Sequence, residues 1–238
     1  MVLNMKKSWL AILLSGLLVL SFSSCSSEIT IGNKTLPKDT VDVSVCDSEI
    51  SDLSPIVGFK NAEKASVCSN TITDVSPLAE LTKLKILNCA NNQVSDISSL
   101  STLTSLELLN VNGNSITDIS VVKNMKNLVE ARFSRNQISD LTPLASLSNL
   151  ETLQLAYNQI TDLTPLAGLT NLTSLSIDGN DIKGEENLQV LINLNNLVSL
   201  SLSGTGFTSE ELARLHEAHP NCIIVDDSVM GSETPTEA

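Results

Sequence analysis

Aromatic side chains are scarce in this 238-residue chain: one Trp, one Tyr and four Phe make up 3% of it. With 42% of residues apolar, the core has to be assembled from layers of Leu, Ile and Val rather than around a few large rings. Basic residues are scarce too, 14 Lys and Arg against 27 Asp and Glu, for a formal net charge of −13. That balance argues against nucleic acid, which is bound by releasing counterions with Lys and Arg. It also argues against electrostatic attachment to an anionic membrane. Histidine is confined to His216 and His219, in the run His-Glu-Ala-His. Two ligands three residues apart can touch one metal, but a site needs a third or fourth, so both are expected at the surface. There is no phosphate loop, dinucleotide fingerprint, His-Glu-x-x-His or nucleophile elbow. The chain is therefore read as non-catalytic, with no cofactor and no metal.

No apolar run is long enough to span a bilayer. Trp9 to Leu20 is a stretch of 12 residues behind Lys6 and Lys7, which reads as a secretory signal. It leads into Phe22-Ser23-Ser24-Cys25, small residues before a cysteine. This resembles a bacterial lipoprotein processing box, with Phe22 where a leucine-like residue is usual. The resemblance implies cleavage after residue 24 and acylation of Cys25. Several acyl chains hold a protein stably on a membrane, whereas one alone is marginal. Ordinary secretion with an incidental cysteine is the alternative.

What the chain has in abundance is repetition. Asparagine stands at Asn70, Asn92, Asn114, Asn136, Asn158 and Asn180, 22 residues apart each time, with Ser48 before them and Thr205 after a unit of 25. A fixed period in this range marks a solenoid. Each unit reads Leu-x-x-Leu-x-Leu-x-x-Asn, as in Leu150, Leu153, Leu155 and Asn158. The Leu-x-Leu alternation points two side chains inward and one outward from a strand. The asparagine carries donors and an acceptor that satisfy backbone groups of adjacent turns. After it come Asp52, Asp74, Asp96, Asp118, Asp140 and Asp162, four of them followed by Ser/Thr-Pro. Proline removes a donor and fixes φ, so these segments are predicted to be turns or short 3₁₀ pieces. The aspartates are read as acceptors for their own turns; a calcium column is the alternative, without the spacing of known calcium-binding β-helices.

These repeats resemble the 22-residue class of leucine-rich repeats, and most closely those of bacterial internalins, through Asn-Gln-Ile-Ser-Asp-Leu-Thr-Pro-Leu at 136–144 and its copies. The resemblance implies a horseshoe solenoid, with a parallel sheet on the concave side and short turns on the convex side. The organisation expected is a signal peptide over 1–24, a lipid anchor and N-terminal hairpin cap over 25–40, and repeats over 41–207. A helix–strand cap follows over 208–227, then a disordered acidic tail over 228–238. Lys183 to Glu186 breaks the pattern, and three inserted residues are expected to form a convex bulge.

Among the cysteines, Cys89 and Cys222 read as small core residues. Cys46 and Cys68 stand two residues before their ladder positions and face outward from adjacent strands about 4.8 Å apart, inside the Cα window of a disulfide. Bonded and free states are both open. The resemblance places partner binding on the concave surface, where most side chains are small and neutral. The exception is central: Arg132 and Arg135 share a strand, and Tyr157 matches Arg135 one repeat later. Arginine and tyrosine are over-represented among binding hot spots. With Asn88, Asn110, Asn112 and Gln154 they form the candidate partner-binding face. The competing reading is a merely solvated surface, with Arg132 neutralised by Glu130. The function expected is internalin-like recognition of a protein partner. An envelope scaffold at the cell's own membrane, or a glycan-binding accessory protein, is the alternative. The sequence is silent on oligomeric state.

Overall fold

The computed structural model describes residues 27–227. The leader, Cys25 and the tail from Ser228 lie outside the described residues. An antiparallel hairpin, β1 (Glu28–Ile31) and β2 (Lys34–Pro37), opens the fold. It covers the first repeat: Ile31 is buried, and Ile29 and Leu36 pack against the main core. Gly32 makes the turn at φ +59°, and a Cβ there would lie 2.6 Å from the Ile50 side chain. The close approach and the left-handed backbone both require glycine.

Nine strands then pair in chain order into one parallel sheet. They are β3 (Asp42–Ser44), β4 (Lys64–Ser66), β5 (Ile86–Asn88), β6 (Leu108–Asn110), β7 (Glu130–Arg132), β8 (Thr152–Gln154), β9 (Ser174–Ser176), β10 (Ser199–Ser201) and β11 (Ile223–Val225). Each strand is three residues long, and its middle side chain is buried, from Val43 through Leu109 and Leu153 to Ile224; in β6 Asn110 is buried as well. One such side chain cannot stabilise a strand alone, but stacked neighbours form a continuous core. On the opposite side run 3₁₀ turns, from Ser54–Gly58 to Thr164–Leu166. Two of them, Ser98–Thr102 and Ser120–Asn124, form without proline. Each turn buries one or two aliphatic side chains under the sheet, Leu78 and Leu144 among them.

The asparagine column stitches the repeats together. Asn136 Nδ2 donates to Val111 O and Phe133 O, both at 3.0 Å, and its Oδ1 accepts from Ile116 N at 3.0 Å. Asn92, Asn114, Asn158 and Asn180 repeat the pattern. A second column runs along the edge where the chain enters the strands. Asn127, Asn149, Asn171 and Asn196 each donate Nδ2 to a carbonyl of the preceding repeat, at 2.8–3.0 Å. Its spacing is 22 residues up to Asn171 and 25 to Asn196, the same steps as in the inner column.

The departure at residues 183–186 is not a bulge. It begins an α-helix, α1 (Glu185–Asn193), which replaces a 3₁₀ turn. Glu185 and Glu186 suit the positive N-terminal end, and Leu188 and Leu191 are buried. Asn187 is buried too, accepting from Leu163 N at 2.7 Å and donating to Thr161 O at 2.9 Å. The three extra residues thus complete helical turns against the stack. Helix α2 (Ser209–Ala218) follows with a capping box between Thr208 and Glu211. Arg214 grips Glu185 through two bonds of 2.6 and 2.7 Å, tying α2 to α1. His219 was expected at the surface; it is 6% exposed, and its Nε2 donates to Leu191 O at 2.9 Å. The helix C-terminus needs a group to turn the chain into β11, and the imidazole fills that buried corner.

Candidate binding face

Alternate residues of a strand share a side, so the first and third residues of each strand face outward, as does the residue two further on. The last two columns contain Asn88, Asn110, Asn112, Arg132 and Gln154, whereas Arg135 and Tyr157 stand one residue beyond the third column. The first column contains Ile86, Leu108 and Glu130, all half-buried. Of this column the sequence pattern points only to Glu130, beside Arg132; extending the alternation by one step adds Ile86 and Leu108.

At the centre, Arg132 on β7 stands in register between Asn110 on β6 and Gln154 on β8. Glu130, two residues earlier on the same strand, accepts from Arg132 Nε. The neutralising contact foreseen in the competing reading is therefore present. The terminal nitrogens of the guanidinium have no hydrogen-bond partner among the described residues. Asn112 accepts from Ser134 N at 2.7 Å and donates to Gln154 Oε1 at 3.2 Å, bridging two repeats. Asn88 and Asn110 instead accept N–H groups two residues on, from Ala90 and Asn112, both at 3.1 Å. Asn110 is only 9% exposed. Pointing outward from the sheet is not the same as being accessible, because the side chains on neighbouring strands stand only about 4.8 Å away.

A ridge borders the face. The residue before each ladder position lies in the left-handed region, including Arg135 at φ 58° and Tyr157 at φ 57°, with glycine at 113, 179 and 204. Neighbouring ridge residues lean on one another. The Arg135 guanidinium sits 4.8 Å from the Tyr157 ring centroid, a cation–π contact. The ring also lies over Gly179, where a Cβ would come within 2.5 Å of it. Tyr157 is nonetheless 54% exposed. It is an immobilised aromatic, which loses little side-chain entropy on binding.

Cys46 and Cys68 are joined by a disulfide, with Cα atoms 4.6 Å apart on β3 and β4 extended. Cys89 is free and fully buried; loss of solvation pushes its thiol pKa up to about 12, so it is inert as a nucleophile. The aspartates close their own turns. Asp52 Oδ1 accepts from Ser54 N and Oδ2 from Ser54 Oγ, each at 2.8 Å, and Asp140 does the same with Thr142. The backbone N–H groups of Ser54 and Ser98 hold the Asp52 and Asp96 carboxyls below the usual carboxylate range. Among the described residues, no group of three or more His, Cys, Asp or Glu could hold a metal.

This geometry has clear relatives. Models of leucine-rich repeats in two copies match residues 63–102, 82–124 and 126–168, and a single-repeat model matches 168–185. Among solved structures, an internalin F of Listeria monocytogenes superposes with a TM-score of 0.74 at 32% identity, over 82% of this chain and 55% of the other. Internalin C2 of the same organism gives a TM-score of 0.72 at 30% identity, over 82% and 85% of the two chains. The present chain thus spans little more than half of the first relative and most of the second. A leucine-rich-repeat protein of Leptospira interrogans, at 24% identity and a TM-score of 0.63, shares the fold. Curated protein sequences yield no match. On the repeat models and the identity to internalin C2, the chain belongs to the internalin-like family of leucine-rich-repeat proteins.

Proposed function

We propose that the protein is a non-catalytic, extracytoplasmic binding module that takes a protein partner on the concave face around Arg132, Arg135 and Tyr157. The observation that carries this reading is the Arg135–Tyr157 pair, preorganised and exposed beside the free end of the Arg132 guanidinium. Hot-spot residues of these types cost about 2 kcal/mol or more when truncated, roughly a thirty-fold loss of affinity. The protein is immobilised beside an Arg132→Ala/Arg135→Ala/Tyr157→Ala variant of matching circular dichroism and challenged with envelope extract. A partner retained by the unmodified protein and lost from the variant supports the reading. Equal retention by both places the site elsewhere on the solenoid.

Anchoring through an acylated Cys25 belongs to the same proposal. The mass of the protein taken from its native membrane should exceed that of residues 25–238 by several acyl chains; an unmodified mass contradicts it. Only Ser26 and Ser27 separate Cys25 from β1. That leash spans roughly 10 Å when extended, and it favours a partner close to the protein's own membrane over one on a distant cell. A glycan is the second ligand class for which the amide-rich face with Tyr157 is suited, and capture of polysaccharide instead of protein would select it.

A further inference from the structure

The chain holds three arginines, Arg132, Arg135 and Arg214. Arg214 commits its guanidinium to Glu185 through two bonds of 2.6 and 2.7 Å. The other two stand at the centre of the concave face and keep donors unused. Arg132 gives only Nε to Glu130, and with its side chain 37% exposed the terminal N–H groups stand partly out of water. Arg135 forms no ion pair among the described residues; its guanidinium lies against the Tyr157 ring. Together with Glu130 the two leave a single net positive charge there, in a chain whose net charge is −13. Towards the C-terminal end of the face, Asp178 is already engaged. It accepts from Ser176 Oγ at 2.7 Å, Ser201 Oγ at 2.5 Å and Ser203 N at 3.1 Å. On the other side lies an apolar step. Ile86 and Leu108 pair in register and are half-buried, and Leu108 pairs in turn with Glu130. Leu108 is one strand and two residues from Arg132, roughly 8 Å on the spacings of a sheet.

We infer, on the footing that the concave face is the binding surface, that its partner is a protein segment with an Asp or Glu carboxylate on Arg132 and Arg135 and an aliphatic side chain on Ile86 and Leu108. A carboxylate accepts two parallel N–H bonds from the free end of a guanidinium, and such charge-assisted bonds are short and strong. Both guanidinium groups are held in advance, Arg132 by Glu130 and Arg135 by the ring, so little side-chain freedom remains to be lost on binding. One negative charge matches the net charge at the site. A phosphate carries close to two and would be opposed by Glu130. The aliphatic contact takes Ile86 and Leu108 out of water. It also lowers the dielectric around the neighbouring ion pair, which strengthens it.

The test is a random peptide library displayed on phage and panned against the purified protein. Bulk attraction to an acidic chain would enrich Lys and Arg. The two arginines predict the opposite, sequences enriched in Asp or Glu with Leu, Ile, Val or Met a few residues away. The strongest binder, made synthetically, should lose about ten-fold or more in affinity when its acid is changed to the amide. It should lose as much against Arg132→Gln. Arg132→Lys should restore only part of that, because an ammonium is a point charge and not a planar fork. Leu108→Ser should cost several-fold. Every variant is first matched to the unmodified protein by circular dichroism. Binders free of Asp and Glu, yet lost from Arg132→Ala/Arg135→Ala/Tyr157→Ala, would overturn the carboxylate assignment and leave the concave face as the site. Binders that this triple variant holds equally would overturn both. A library without any enriched sequence would count against a carboxylate-bearing segment as well.

Discussion

Asn136→Ala lowers the stability of the solenoid by about 3 kcal/mol, because it strands several buried backbone groups at once. The side chain is 8% exposed and joins Val111 O, Phe133 O and Ile116 N, groups from two successive repeats. Alanine is too small to reach any of them, and the packed stack admits little water. One unsatisfied group costs about 1–3 kcal/mol, and partial relaxation keeps the sum below three full penalties. For a domain of this size, each kcal/mol shifts the melting temperature by about 2–4 °C, so a fall of roughly 6–12 °C is expected in scanning calorimetry. Asn127→Ala is the internal comparison. Its bond to Thr104 O lies at an exposed edge, where water replaces the lost donor, and a shift of only a few degrees is expected. An Asn136→Ala midpoint as mild as that of Asn127→Ala would mean the inner column is not what joins the repeats.

Breaking the Cys46–Cys68 bond destabilises the N-terminal end by about 3 kcal/mol, on the chain-entropy account of a closed loop of this length. The bond spans 22 residues and clamps β3 to β4, the two strands next to the hairpin cap. In a repeat stack, stability is close to a sum of units and their interfaces, so the loss should be felt locally before it is felt globally. Cys46→Ser/Cys68→Ser should therefore be cut first within residues 27–70 under limited proteolysis, while the later repeats persist. Cleavage that begins equally throughout the chain would show that the bond does not protect this end in particular.

The period-22 asparagine column made most of this fold legible. A strand position, its buried Leu, its ladder Asn and its turn Asp recur together, so each repeat corroborates the next. The irregular unit had no such support. Residues 185–193 form a helix because Leu188 and Leu191 fall on one buried face, a signal only four residues long inside a pattern that prompted a different expectation. His219 was misplaced for a similar reason, since a corner between a helix and a strand leaves no periodic trace. On the binding face, register located Arg132, Arg135 and Tyr157 correctly as neighbours. The sequence did not reveal how enclosed the columns are, so Asn110 was expected to be more accessible than it is.

Hydrogen–deuterium exchange on the protein, with and without the partner captured from envelope extract, tests the central claim most directly. Peptides covering residues 130–135 and 152–157 should gain protection on binding, together with the neighbouring segment 108–112. The 3₁₀ turns on the opposite side should exchange as before. Protection confined to those turns or to the terminal caps, with residues 130–135 and 152–157 unchanged, would contradict recognition through the concave face.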